Sequence, residues 1–123
     1  MKSAICGVLL GLFGLHSRGY VHHDIRWNNV IQLENREWIL IDLEHAGKAG
    51  PVAYKLAHWP SQDNDGDVYS YTFKCDLYLV GKLMDDCSVS LDESGKAFKD
   101  HILEMKRNST AQTLLKHAWI KTN

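Results

Sequence analysis

Asp24, Asn29 and Asp42 are the residues of this chain best suited to chemistry. Asp24 and Asn29 stand five residues apart in a polar stretch, and Asp42 follows thirteen residues later, at the end of the apolar run Ile39-Leu40-Ile41. One carboxylate can orient an attacking hydroxyl and accept its proton. An amide oxygen and a second carboxylate are hard oxygen donors of the kind that hold Mg²⁺ against phosphates. Arg26 adds a cation beside the first carboxylate. Taken singly, an Asp or Asn in a loop is usually a turn former or a helix cap. These residues gain meaning from their order and spacing, and from the elements that must carry them.

Those elements are legible as patterns. Val30-Ile31-Gln32-Leu33 and Trp38-Ile39-Leu40-Ile41 are short apolar runs separated by polar, turn-tolerant Glu34-Asn35-Arg36. They predict a β-hairpin that returns the chain so that Asp42 faces the loop holding Asp24 and Asn29. Upstream, Ile5, Val8, Leu9, Leu12, Phe13 and Leu15 recur at helical spacing, and Ser17-Arg18-Gly19 offers a glycine stop. Gly7, Gly11 and Gly14 lie inside this helical pattern and imply close helix packing rather than a phosphate-binding loop.

The stretch Val21-His22-His23-Asp24-Ile25-Arg26-Trp27-Asn28-Asn29-Val30-Ile31 resembles the catalytic loop of protein kinases (H-R-D-L-x-x-x-x-N), and Ile41-Asp42-Leu43-Glu44 resembles their metal-binding D-F-G. Leu15-His16-Ser17-Arg18-Gly19-Tyr20-Val21-His22 is similar to the kinase helix that leads into that loop. Lys74-Cys75-Asp76-Leu77-Tyr78-Leu79-Val80-Gly81 resembles the central helix of the C-lobe, and Ser109 to Ile120 its final motif. The resemblance implies a mainly α fold with small β-hairpins, protein-kinase C-lobe-like, as one domain over 1–123. Within it, 21–31 is the catalytic loop, 39–47 the metal-binding segment, 48–72 an activation-segment-like loop and 73–123 the C-lobe helices. It further implies Asp24 as catalytic base, Arg26 against the transferred phosphoryl group, and Asn29 and Asp42 as ligands of Mg²⁺ that hold ATP. Asp76 matches a buried acceptor of hydrogen bonds from the catalytic-loop backbone.

The departures carry as much information. The glycine-rich loop over the ATP phosphates and the N-lobe lysine with its glutamate partner have no counterpart here, so the expected nucleotide site has one wall. Such sites work by positioning and electrostatics, and losing a wall weakens both. His23 replaces the arginine of H-R-D, which implies loss of control by phosphorylation of the activation segment. Glu44 replaces the glycine of D-F-G, adding a side chain and a negative charge near the metal position. Trp27 stands where proline is common, as in loops of divergent fungal and effector-associated kinases. His58-Trp59-Pro60-Ser61 is the nearest approach to A-P-E and lacks its glutamate. The arginine that normally pairs with that glutamate would fall at Asn108 or be replaced by Arg107, which puts the tie between this segment and the C-lobe in doubt.

Composition sets the outer bounds. A length of 123 residues fits one domain with a real core, and a net charge of -1 argues against general electrostatic binding of nucleic acid. The apolar N-terminal stretch is too short for a membrane span and lacks a small-residue cleavage site, although secretion stays open. Cys6, Cys75 and Cys87 are odd in number and lack metal spacing, which predicts buried free thiols in a reducing compartment, cytoplasmic or nuclear. Ser61 to Asp67 reads as an exposed loop, and its Asp-rich centre lacks the closing Glu of a calcium loop. Asn108-Ser109-Thr110 fits a glycosylation sequon.

The expected function is therefore a truncated kinase-like domain, inactive or weakly active alone, that serves as an interaction or regulatory module. Its partner is a second copy or another protein covering the missing N-lobe face, with no nucleic acid and no membrane. An alternative is a minimal Mg-ATP-dependent phosphotransferase or ATPase completed by oligomerisation or a partner. A second alternative is a metal-dependent hydrolase, if His22, His23, Asp24, Asp42, Glu44 and His45 converge on a transition metal.

Overall fold

The computed structural model describes residues 1–52, 56–60, 69–87, 89–104 and 109–121. Helix α1 (Lys2–His16) runs first, and strand β1 (Tyr20–Val21) follows it. The chain then passes through the loop holding Asp24 and Asn29, whose last residues form a 3-10 turn, into β2 (Val30–Gln32) and β3 (Trp38–Leu40). A second 3-10 turn at Leu43–His45 leads to β4 (Gly47–Lys48), β5 (Gly50–Val52) and β6 (Tyr69–Tyr71). Four helices close the chain: α2 (Phe73–Asp85), α3 (Glu93–Leu103), α4 (Ala111–Leu115) and α5 (Ala118–Lys121). The architecture is mainly α with small antiparallel strand pairs.

Helix α1 forms because its apolar residues return every three or four positions. Ala4, Ile5, Val8, Leu9 and Leu12 are buried, whereas Phe13, expected on the same stripe, is 41% exposed. Leu15 still packs against the core and His16 reaches the buried Asp76, so within the last turn Phe13 falls off the buried face. Gly19, at φ 82°, takes the left-handed conformation that turns the chain out of the helix toward β1. Helix α1 packs against β3, α4 and α2, so it is the central strut. Gly7 permits the closest of these approaches: a Cβ there would lie 2.3 Å from the Trp38 carbonyl oxygen. The glycine serves a helix-to-strand contact.

The hairpin has the expected antiparallel register, with Val30 opposite Leu40, Ile31 opposite Ile39 and Gln32 opposite Trp38. Two further strand pairs exceed the one or two hairpins expected. β1 pairs with β4, tying the start of the 47–71 stretch to the strand after α1, and β5 pairs with β6 within that stretch. Strands of two or three residues are too short to show an alternating pattern, so sequence periodicity could not reveal them.

Helix α2 crosses beneath the loop. It starts where the Thr72 N–H donates to Cys75 Sγ at 3.3 Å, and its first turn carries Asp76, a charge that the positive end of the helix favours. Asp92 caps α3 by accepting from Gly95 N at 2.7 Å, and Thr110 caps α4 by accepting from Thr113 N at 3.0 Å. Trp119 closes the end of the core against Phe98, with ring centroids 4.9 Å apart. Of the three free cysteines only Cys75 is buried; Cys6, on α1, and Cys87, which lies past the end of α2 and not within a helix, are half-buried. Among the described residues no helix is long and apolar enough to cross a membrane. The stretch 61–67 and residues 107 and 108 lie outside the described residues.

Candidate functional site

The loop from 21 to 31 is held from below by one carboxylate. Asp76 is fully buried, and both of its oxygens serve two donors. Oδ2 accepts from the His22 backbone N–H at 2.7 Å and from His16 Nε2 at 3.0 Å. Oδ1 accepts from the His23 N–H at 3.2 Å and from the Tyr71 hydroxyl at 2.5 Å. A buried charge is tolerable when its lone pairs are met in this way. Burial, followed by the Asp76 charge, raises the Tyr71 phenol far above its ordinary pKa, so it stays protonated and donates.

His22 links the loop to the hairpin. Its Nδ1 accepts from the Asp24 N–H at 3.1 Å, so the proton sits on Nε2, which donates to the Ile41 carbonyl at 2.8 Å. The Ile41 N–H donates in turn to the Asn29 carbonyl at 2.8 Å. Ile41 is therefore clamped on both sides, and Asp42 must leave it beside Asn29. Two indoles complete the support: Trp27 Nε1 donates to Leu83 O at 2.9 Å, and Trp59 Nε1 donates to His23 O at 3.0 Å.

On this frame Asp24 and Asn29 meet directly. Asn29 Nδ2 donates to the Asp24 backbone oxygen at 2.8 Å and to its Oδ2 at 3.0 Å, and both residues are buried. Two acceptors facing one nitrogen fix the amide orientation, which leaves Asn29 Oδ1 with no protein donor among the described residues. Asp24 Oδ1 turns outward, 3.3 Å from Arg26 Nε and 3.8 Å from His58 Nε2. Asp42 is exposed, and its Oδ1 accepts weakly from Glu44 N at 3.4 Å. Asn29 Oδ1 and the Asp42 carboxylate are oxygen donors of the type that hard cations take.

Among the described residues, three that are not glycine have positive φ: His23 at 77°, Arg36 at 71° and Asp42 at 65°. Arg36 belongs to the hairpin turn. The other two flank the Asp24–Asn29 pair, where a strained backbone costs on the order of 1–3 kcal/mol each and persists only because its surroundings enforce it.

The His–carboxylate cluster expected for a hydrolase is not assembled by the described residues. Both nitrogens of His22 are committed, His23 Nδ1 donates to His45 O at 2.5 Å, and no three His, Cys, Asp or Glu side chains converge as metal ligands. The His23 ring lies against Trp59 and Tyr71, with centroids 5.6 Å and 4.5 Å away, and its Nε2 is buried without a partner.

Sequence reasoning did not anticipate Ile41, Tyr71, His58 or the anchoring role of Trp59. Trp59 ties the 48–72 segment to the 21–31 loop, its Nε1 donating to His23 O, whereas residues 107 and 108, where the charged partner would fall, lie outside the described residues. This indole is buried among Tyr69, Tyr71 and His23. A tryptophan beside a proline in a polar stretch was the available signal.

No family model matches the sequence. The chain is similar to Crinkler effector protein 8 of Phytophthora infestans, with 37% identity over 87 residues, or 66% of this chain. The match spans 14% of the length of that curated relative.

Proposed function

We propose that this chain is a protein-kinase-like C-lobe that keeps a phosphoryl-transfer half-site and acts as an interaction or regulatory module. The observation that carries the reading is the preset Asp24–Asn29 pair, with Asp42 held beside it in a strained backbone by the Ile41 clamp. In this reading Asn29 and Asp42 hold Mg²⁺ with ATP, and the bound ion supplies charge neutralisation at the phosphates. Asp24 orients an acceptor hydroxyl through Oδ1, and Arg26 steadies the transferred group. The second wall comes from a protein partner or another copy of the chain. The similarity to a protein named as an effector supports an effector-like setting for such a module.

A minimal phosphotransferase or ATPase, completed in trans, is the second reading. It is favoured by Asp24 Oδ1, which turns outward while Asn29 holds Oδ2.

Calorimetric titration with Mg·ATP, on the wild type and on Asp42→Asn, tests the half-site. Metal-dependent binding that the variant loses is the expected result. At a hundredfold excess over Kd it stabilises the fold by roughly 2.7 kcal/mol, readable as a thermal shift. No binding at millimolar nucleotide removes the half-site and leaves the interaction module alone.

A further inference from the structure

Two histidines meet where the last helix joins the core. His117 precedes α5, and its Nδ1 accepts from the Trp119 N–H at 3.1 Å. A side chain that accepts from the second N–H of a helix is a cap, and a histidine can serve as one only while that nitrogen keeps its lone pair. The Ile120 and Lys121 N–H groups donate to the His117 carbonyl at 3.0 Å and 3.2 Å, so α5 is organised around this one residue. The His117 ring packs edge-on to Phe98 of α3, with centroids 4.9 Å apart, and its centroid lies 5.9 Å from that of His101 on the same helix α3. Trp119 completes the cluster against Phe98.

The charges around this cluster are mostly positive. Lys116 and Lys121 flank His117 in the chain, and Lys2 of α1 sits over the Trp119 ring at 5.4 Å. From α3 comes His101, with Asp100 and Glu104 exposed on that helix and at its end. Among the described residues neither imidazole forms an ion pair with a carboxylate. Burial first, and His101 second, push the His117 imidazole below its ordinary value, which keeps it neutral in the fold at pH 7 and able to cap. A proton on Nδ1 would face the Trp119 N–H, donor against donor, and would place a cation beside His101.

We propose that His117 and His101 form an acid-sensitive latch, which holds α5 and Trp119 on the core at neutral pH and releases them in acid. Release uncovers the apolar faces of Phe98 and Trp119. The latch uses none of the residues of the phosphoryl-transfer reading and does not rest on it. Its sign follows from the neutral cap. The docked helix is fully favoured above about pH 6.5, the ordinary value that His117 regains on release. That advantage is lost as the pH falls through the lower value it has when docked.

The test is amide hydrogen exchange followed by NMR at about pH 7 and about pH 5, on either side of an imidazole's ordinary range, with the intrinsic rate at each pH divided out. The amides of Trp119, Ile120 and Lys121 are expected to lose roughly fivefold more protection in acid than those of Leu79 and Val80 in α2, which is the worth of one helix cap. His117→Asn keeps a capping oxygen that does not titrate in this range, so it should abolish the difference. His101→Gln removes the neighbouring charge and should narrow it. An equal loss in α2 and α5, or no loss in either, overturns the latch, and so does a difference that persists unchanged in His117→Asn. Should that variant fail to fold, the wild type and His101→Gln decide, since a difference that His101→Gln leaves as it was removes the histidine pair.

Discussion

Asp76 shows how much one side chain can organise. Each of its oxygens meets two donors, and those donors come from α1, the 21–31 loop and β6. In Asp76→Asn one oxygen becomes an amide NH2 that faces the His22 N–H or the Tyr71 hydroxyl, donor against donor. The expected cost is about 3 kcal/mol in urea unfolding, the range for a buried polar network broken on one side. The same network gives stability a pH dependence. The Tyr71 phenol is raised in the folded protein, by burial first and Asp76 second, whereas an unfolded tyrosine ionises near its ordinary value of 10.0. The folded state is therefore fully favoured below about pH 10, and its advantage falls above it by up to about 1.4 kcal/mol per pH unit, as the unfolded chain releases a proton that the fold retains. Tyr71→Phe should flatten that alkaline slope in denaturation curves, while lowering stability at neutral pH through the lost hydrogen bond.

Helix α1 and the hairpin form the unit that sets the site, and their contact can be tested by two glycines with opposite expectations. Alanine gains up to about 1 kcal/mol over glycine inside a helix. At Gly14 no atom lies within 4 Å of the new Cβ, so Gly14→Ala should raise the melting temperature. At Gly7 the Cβ would sit 2.3 Å from the Trp38 oxygen, so the helix must lift off β3. Gly7→Ala should then lose roughly 1–3 kcal/mol, the usual penalty of overpacking, and weaken Mg·ATP binding because Ile41 and Asp42 continue that strand. If the two variants melt alike, the close approach does not govern stability. The hairpin itself was readable from its two apolar runs and polar turn. The pairs β1–β4 and β5–β6 were not, because their partners are far apart in sequence and each strand is too short to have a pattern.

The molecule as a whole leaves large apolar side chains in water. Leu10 is 57% exposed, Leu43 55% and Val89 56%, and Ile31 and Leu33 of the hairpin are exposed as well. Scattered exposed leucines are ordinary, but Leu43 directly follows Asp42, and Ile31 lies two residues beyond Asn29, on the rim of the candidate site. Self-association, or a partner covering this rim, is the expected state. Light scattering at micromolar concentration should report a mass above that of one chain, and a hydrophobic dye should brighten at low concentration where the assembly dissociates. A monomer that ignores the dye would remove the interaction module.

The sequence by itself determined the residues able to do chemistry, their order, the helix before them and the hairpin between them, because these depend on local periodicity and spacing. It also pointed to Asp76 as the buried acceptor. Only the tertiary structure decided that Ile41 is clamped between His22 and Asn29, that Trp59 fastens the 48–72 segment to the 21–31 loop, and that His58 approaches Asp24. Those contacts join residues 12 to 36 positions apart. No local pattern encodes them, since they exist only once the apolar faces have closed on one another and the remaining polar groups must find partners in the space left.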